Sequence, residues 1–91
     1  MLKIEISKAA VKFLKKLPPK HGRQVGTKIQ ELRANPQPHD SQPLRGYDYY
    51  RRADVGEYRI IYYVSSDGST LMVDLVGKRN DDEVYKQLSR K

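Results

Sequence analysis

The heptapeptide Tyr58-Arg59-Ile60-Ile61-Tyr62-Tyr63-Val64 limits the possible folds more than any other stretch of the chain. Nearly all of its residues are β-branched or aromatic, and they alternate. Tyr58, Ile60, Tyr62 and Val64 share one face, and Arg59, Ile61 and Tyr63 share the other. The residues before it, from Tyr49, complete a hairpin with Gly56 near its tip. Ser65-Ser66-Asp67-Gly68 reads as a turn, and Thr70 to Val76 as a buried strand.

The N-terminal half is helical after one strand. Leu2-Lys3-Ile4-Glu5-Ile6 alternates apolar and charged residues, the period of a half-buried strand. Ser7 is suited to cap a helix. Ala10, Phe13, Leu14 and Leu17 then fall at i, i+3, i+4 and i+7, with Lys8, Lys12, Lys15 and Lys16 around the outer side. Pro18-Pro19 ends this helix and can begin the next, because proline fits a first helical turn. Val25, Ile29 and Leu32 supply a narrower stripe, and Asn35-Pro36 stops it. Gln37 to Gln42 reads as a polar loop, after which Leu44-Arg45-Gly46 returns the chain to the sheet. Asn80 or Asp81 can cap a short final helix reaching about Ser89. The order β-α-α-β-β-β-α predicts an α+β domain, with a helical hairpin on one face of a four-stranded sheet. At 91 residues the chain holds one modest core, so residues 1–91 are expected to form a single domain.

Eighteen Lys and Arg against eleven Asp and Glu leave a net charge of +7. That surplus favours an anionic partner: nucleic acid, an acidic protein or an anionic membrane. No stretch approaches the roughly 20 apolar residues needed to span a bilayer. The opening MLKIEISKAA has no uninterrupted apolar run of the secretory kind. There is no cysteine, which excludes disulfides and thiolate metal sites. The expectation is a basic cytoplasmic domain with no membrane association.

Most familiar catalytic sets are missing. His21 and His39 have no second histidine or carboxylate at metal-ligand spacing, and both read as surface residues. Gly56, Gly68 and Gly77 sit singly, so no phosphate-cradling loop is present. Asp81, Asp82 and Glu83 suit a first helical turn, where acids complement the helix dipole, better than a metal site. No metal and no cofactor is expected. What remains is arginine and tyrosine on the sheet. An odd hairpin loop, such as Val55-Gly56-Glu57, pairs Ala53 with Arg59 and puts Arg51 one diagonal step away on the same face. A two-residue loop makes Arg52 the partner instead. Either register is expected to gather two cations on one open face, with Arg79 extending the cluster. Guanidinium forks suit bidentate phosphate contacts, so such a patch binds, but it does not by itself catalyse.

The stretch PLRGYDYYRRADVGEYRIIYYV followed by VGKRNDDEVY resembles the RelE family of bacterial and archaeal toxins, within the RelE/ParE superfamily. The resemblance covers nearly the whole chain. Its most specific part is GKR followed by VY, with Tyr85 six residues after Arg79. It implies the RelE-like, microbial-ribonuclease type of fold, with two helices against a mostly antiparallel sheet and a concave basic face. It also implies a metal-independent endoribonuclease that cuts messenger RNA in the A site of the translating ribosome. Carried over by position, Arg51, Arg59, Arg79 and Tyr85 become the catalytic set, with Arg45, Arg52 and Lys78 as further RNA contacts. The best-known member's second lysine falls at Ala53 here.

Those residue types suit the reaction. RNA carries its own nucleophile, so the enzyme must activate the 2′-hydroxyl, stabilise the phosphorane and protonate the leaving 5′-oxygen. Tyr85 is the candidate base, since neighbouring arginines lower a phenol from its usual value of about 10. Arg59 and Arg79 stabilise the developing charge, and Arg51 holds the phosphate or assists the leaving group. Tyr49, Tyr50 and Tyr63 divide between base stacking and sheet packing. The resemblance further implies a cognate antitoxin that covers the basic face, with operator DNA reached only through the antitoxin complex. A ParE-like toxin, which inhibits gyrase without hydrolysis, is the alternative on the same fold.

Overall fold

The structure is a computed structural model that describes residues 1–79. The expected C-terminal helix, and Tyr85 with it, lies outside the described residues. The elements are β1 (Lys3–Ile6), α1 (Lys8–Lys15), α2 (Pro19–Ala34), β2 (Ser41–Pro43), β3 (Arg51–Val55), β4 (Tyr58–Val64) and β5 (Thr70–Lys78). They form one sheet in the order β1-β5-β4-β3-β2, antiparallel except for the parallel pairing of β1 with β5. Among the described residues, no helix is long and apolar enough to cross a membrane.

The helices start and stop where their sequence signals lie. The Ser7 hydroxyl accepts a hydrogen bond from the Ala10 amide at 3.1 Å and donates one to the Asp74 carbonyl at 2.5 Å. The cap of α1 is therefore also a tie to β5. Pro19 opens α2 in the first-turn position that proline tolerates, and extended Asn35 before Pro36 closes it. Ala10, Val25, Ile29 and Leu32 bury against Ala53, Tyr58, Ile60, Tyr62, Leu71, Val73 and Val76, with Phe13, Leu14 and Leu17 packed at the margin. Tyr62 is fully buried and satisfies its hydroxyl by donating to the Pro36 carbonyl at 2.7 Å.

The sheet has five strands where four were expected. The extra one, Ser41–Pro43, lies within and just beyond the segment read as a loop, because Ser-Gln-Pro carries no apolar alternation. It is an edge strand held by its backbone ladder to β3, a place where proline is tolerated. A second departure lies in β5. Ile61 pairs with Leu75 and Tyr62 with Val73, so Asp74 is an extra residue, a β-bulge. The bulge reverses the alternation. Leu71 and Val73 face the helices, whereas Leu75 joins Ile61 and Leu44 in a small cluster on the opposite face, flanked by Tyr47 and Tyr50. The run Leu71–Val76, apolar except for Asp74, thus serves two faces.

Candidate active site

The face of the sheet opposite the two helices, which no helix covers among the described residues, is set by the β3–β4 turn. Val55 pairs with Tyr58, leaving Gly56-Glu57 as a two-residue turn, with Gly56 at φ 56°. Glycine at the first central position is the type II′ signature. The register that follows puts Asp54, not Ala53 or Arg52, opposite Arg59. Arg59 grips it in a forked pair, Nε to Oδ1 at 2.7 Å and Nη2 to Oδ2 at 3.2 Å. Arg52, two residues earlier in β3, shares this face and donates to Gln42 Oε1 at 2.7 Å. Across the other edge of β4, Arg59 pairs with Gly77. The Arg79 amide bonds the Glu57 carbonyl at 2.9 Å, which anchors the end of β5 beside the same turn.

Three arginines thus converge on one carboxylate. The hydrogen bond from Arg59 holds the Asp54 carboxyl below its usual range, with further lowering from the charges of Arg59, Arg52 and Arg79. Asp40, Gln42, Arg52, Asp54 and Arg59 line a cleft of about 80 Å³. Pockets for drug-sized ligands run to roughly 300–1,000 Å³, so this cleft suits a small anionic group such as one phosphate. Asp54 already offers the arginines what a phosphate would, and an incoming phosphate must compete with it.

Arg51 is not part of this cluster. It pairs with Tyr62 and, like Ala53, belongs to the helix-covered side of β3. Its Nη2 donates to the Ser41 hydroxyl at 2.9 Å, while its Nε is buried with no hydrogen-bond partner among the described residues. Of the two registers the sequence allows, the two-residue loop is the one formed. It puts Arg52 on the Arg59 face with Asp54 directly opposite Arg59. The odd loop, which put Arg51 and Arg59 on one face, is corrected here. The β3 residues on the Arg59 face are Arg52 and Asp54. Lys78 is exposed and pairs with Tyr58, one position out of phase with Gly77 and Arg79. Arg45 is exposed in the turn between β2 and β3, beside Gly46 at φ 86°. Asp54 was missed in the sequence. Its signal was the glycine of a two-residue type II′ turn, which counts back to an acid opposite Arg59.

Further along the same face, four tyrosines assemble. Tyr49 stacks on Tyr50 with ring centroids 4.9 Å apart and planes 24° apart, and Tyr63 meets both edge-on. Tyr47 is edge-on to Tyr50. The Tyr50 hydroxyl donates to Asp74 Oδ2 at 2.7 Å, so the bulge carboxylate holds the cluster in place. Burial and the bond to Asp74 push the Tyr50 phenol far above its usual range, which makes it a hydrogen-bond donor and a poor base. His21, expected on the surface, is half-buried and hydrogen-bonded through Nδ1 to the Tyr58 hydroxyl at 2.6 Å. It ties α2 to β4 on the side away from the arginines.

A helical hairpin behind a mostly antiparallel sheet, with an arginine cluster on the face opposite the helices, defines a small basic α+β protein. The sequence model of the ParE toxin of the type II toxin-antitoxin system parDE matches residues 4–83. The toxin RelE1 of Methanocaldococcus jannaschii is 32% identical over 79 residues, covering 84% of this chain and 88% of that protein. The RelE–RelB complex of Pyrococcus horikoshii contains a chain 29% identical, covering 86% of this chain and 94% of its own, with a TM-score of 0.74. A free RelE variant from E. coli, at 24% identity, shares the fold over 98% of this chain and 95% of its own, with a TM-score of 0.81. The chain belongs to the RelE family of toxins, within the RelE/ParE superfamily.

Proposed function

We propose that this toxin is a metal-independent endoribonuclease that cuts messenger RNA in the ribosomal A site and so arrests translation in the cytoplasm. The observation that carries the proposal is that Arg52 and Arg59 line a cleft sized for one phosphate on the sheet face opposite the helices, with the charge of Arg79 also acting on the Asp54 carboxylate there. Their roles follow from charge. Arg59 and Arg79 stabilise the phosphorane as the 2′-oxygen bonds to phosphorus and the P–O5′ bond breaks. Arg52 takes the phosphate-holding part expected of Arg51, because it lies on the correct face. Tyr85 accepts the 2′-hydroxyl proton, and the leaving 5′-oxygen takes a proton from solvent water. Lys78 and Arg45 extend the cationic surface along the RNA. No metal is required, because guanidinium groups supply the positive charge.

RelE chains from P. horikoshii and from Methanococcus jannaschii occur in complexes with RelB antitoxins. These relatives support a cognate antitoxin for this toxin as well, with any contact to operator DNA made through that complex. A second reading has support in the match to the ParE model, which suggests a gyrase inhibitor without nuclease activity. Primer extension on messages from cells expressing the toxin separates the two. New breaks inside reading frames that require translation are expected, and Tyr85→Phe should lower their yield by about 10²- to 10⁴-fold while leaving the fold intact. Intact messages together with a gyrase block would move the protein to the ParE reading.

A further inference from the structure

We infer that the tyrosine cluster on the uncovered face is a nucleobase-binding subsite, with Tyr49 as its stacking surface. The inference rests on the RNA-cleaving reading and adds to it the group that positions the strand. Tyr49 is 64% exposed, far more than the core requires, since Leu44, Ile61 and Leu75 are already buried beneath Tyr47 and Tyr50. It borders a cavity of about 430 Å³ whose other walls are Tyr63, Val64, Ser65, Ser66 and Met72. That volume falls in the range of small-molecule sites, unlike the arginine cleft.

The chemistry of the walls selects the occupant. None of these side chains is charged, so the cavity suits neither a phosphate nor an acidic peptide side chain. Two aromatic rings and two serines offer a π-face and short hydrogen-bonding groups, which is what a flat, neutral, polar-edged base needs. The charge lies elsewhere on the same face. Arg59 and Tyr63 are four residues apart on β4, a separation of about 13 Å at the rise of a strand. A few nucleotides of single strand, at about 3.4 Å per stacked base, span that distance. An arginine groove for the backbone beside an aromatic platform for a base is the general plan of single-strand recognition. The platform is also pre-ordered. Asp74 fixes Tyr50, Tyr50 stacks on Tyr49, and Tyr63 buttresses both, so little side-chain freedom is lost on binding.

The test is binding by the full-length toxin of a short 2′-O-methyl RNA, which lacks the free nucleophile, against an abasic chain of equal length. Anisotropy titrations at one fixed low salt concentration provide the affinities. Tyr49→Ala should weaken the base-bearing RNA about tenfold to hundredfold and leave the abasic chain unchanged. Tyr49→Phe and Tyr49→Trp should bind like the parent. If Tyr49→Ala unfolds, Tyr49→Leu keeps the apolar bulk without a ring and should show the same loss. Equal affinities for parent and Tyr49→Leu, an equal loss on both oligonucleotides, or a parent that does not prefer bases would each overturn the subsite. So would unchanged RNA binding combined with a weakened complex with the co-expressed antitoxin, which would make this a protein-docking face. These outcomes are distinct from failure of the nuclease reading. A toxin that cuts messages normally as Tyr49→Leu loses only the subsite, and one that selects bases but never cuts loses only the nuclease.

Discussion

Asp54 determines how the arginine cluster is held in the free protein. Its carboxylate occupies the fork of Arg59 in the geometry a phosphate would adopt. Replacing it with asparagine should raise affinity for a non-cleavable RNA severalfold, because a neutral amide competes less well for the guanidinium. The stability lost should be about 1 kcal/mol or less, since the Asp54 side chain is 38% exposed and such pairs are screened. The sign with pH is fixed by the depressed carboxyl. Its contribution is complete above the ordinary value of 3.8 and is lost as pH falls through the lowered one. Urea unfolding of the parent and Asp54→Asn should therefore differ at neutral pH and converge in strong acid. A constant gap across that range would show that the ion pair is not its source. The importance of Arg59 was legible in the sequence, as a cation inside an otherwise apolar strand. Of its neighbours, Arg52 was legible only as the alternative a two-residue turn offers, and Asp54 not at all, because one residue of turn length decides which β3 side chains share its face. That single residue moved Arg51 and Ala53 to the core side and brought Arg52 and Asp54 forward.

At the scale of elements, the informative feature is the bulge in β5. The two helices were legible because their apolar spacing, the serine cap and the proline pair all agree, and the core confirms each stripe. The phase of β5 was not, since strict alternation from Leu71 to Arg79 misses the extra residue at Asp74. Nor was β2, whose stability comes from backbone pairing that no side-chain pattern records. Asp74 serves β5 twice: its carbonyl receives the Ser7 hydroxyl that begins α1, and its carboxylate receives the Tyr50 hydroxyl. Tyr50→Phe should cost about 1–2 kcal/mol, the worth of a part-buried hydrogen bond to a charged acceptor, and should loosen Tyr49 and Tyr63 with it. Denaturant melts give the first quantity. Tyrosine ring-flip rates by NMR give the second, and rates unchanged from the parent would mean that the bulge does not brace the platform.

For the whole molecule, the charge of +7 acts at a distance. An acidic antitoxin segment should be drawn to the arginine face and associate quickly, with a rate that falls as salt shortens the screening length. Stopped-flow association at rising ionic strength tests this. A rate insensitive to salt would point to a mainly apolar contact. The sheet topology has its own consequence. The strand nearest the N-terminus pairs in parallel with the last described strand, Lys3 beside Thr70 and Ile6 beside Val73, and β5 also supplies the wall against which β4 completes the arginine cluster. Contacts so distant along the chain form late, because the loop between them must close first. During synthesis the early strand therefore waits without its partner until residues 70–73 have emerged. Until residues 70–78 have been made, neither the sheet nor its arginine cluster can be complete.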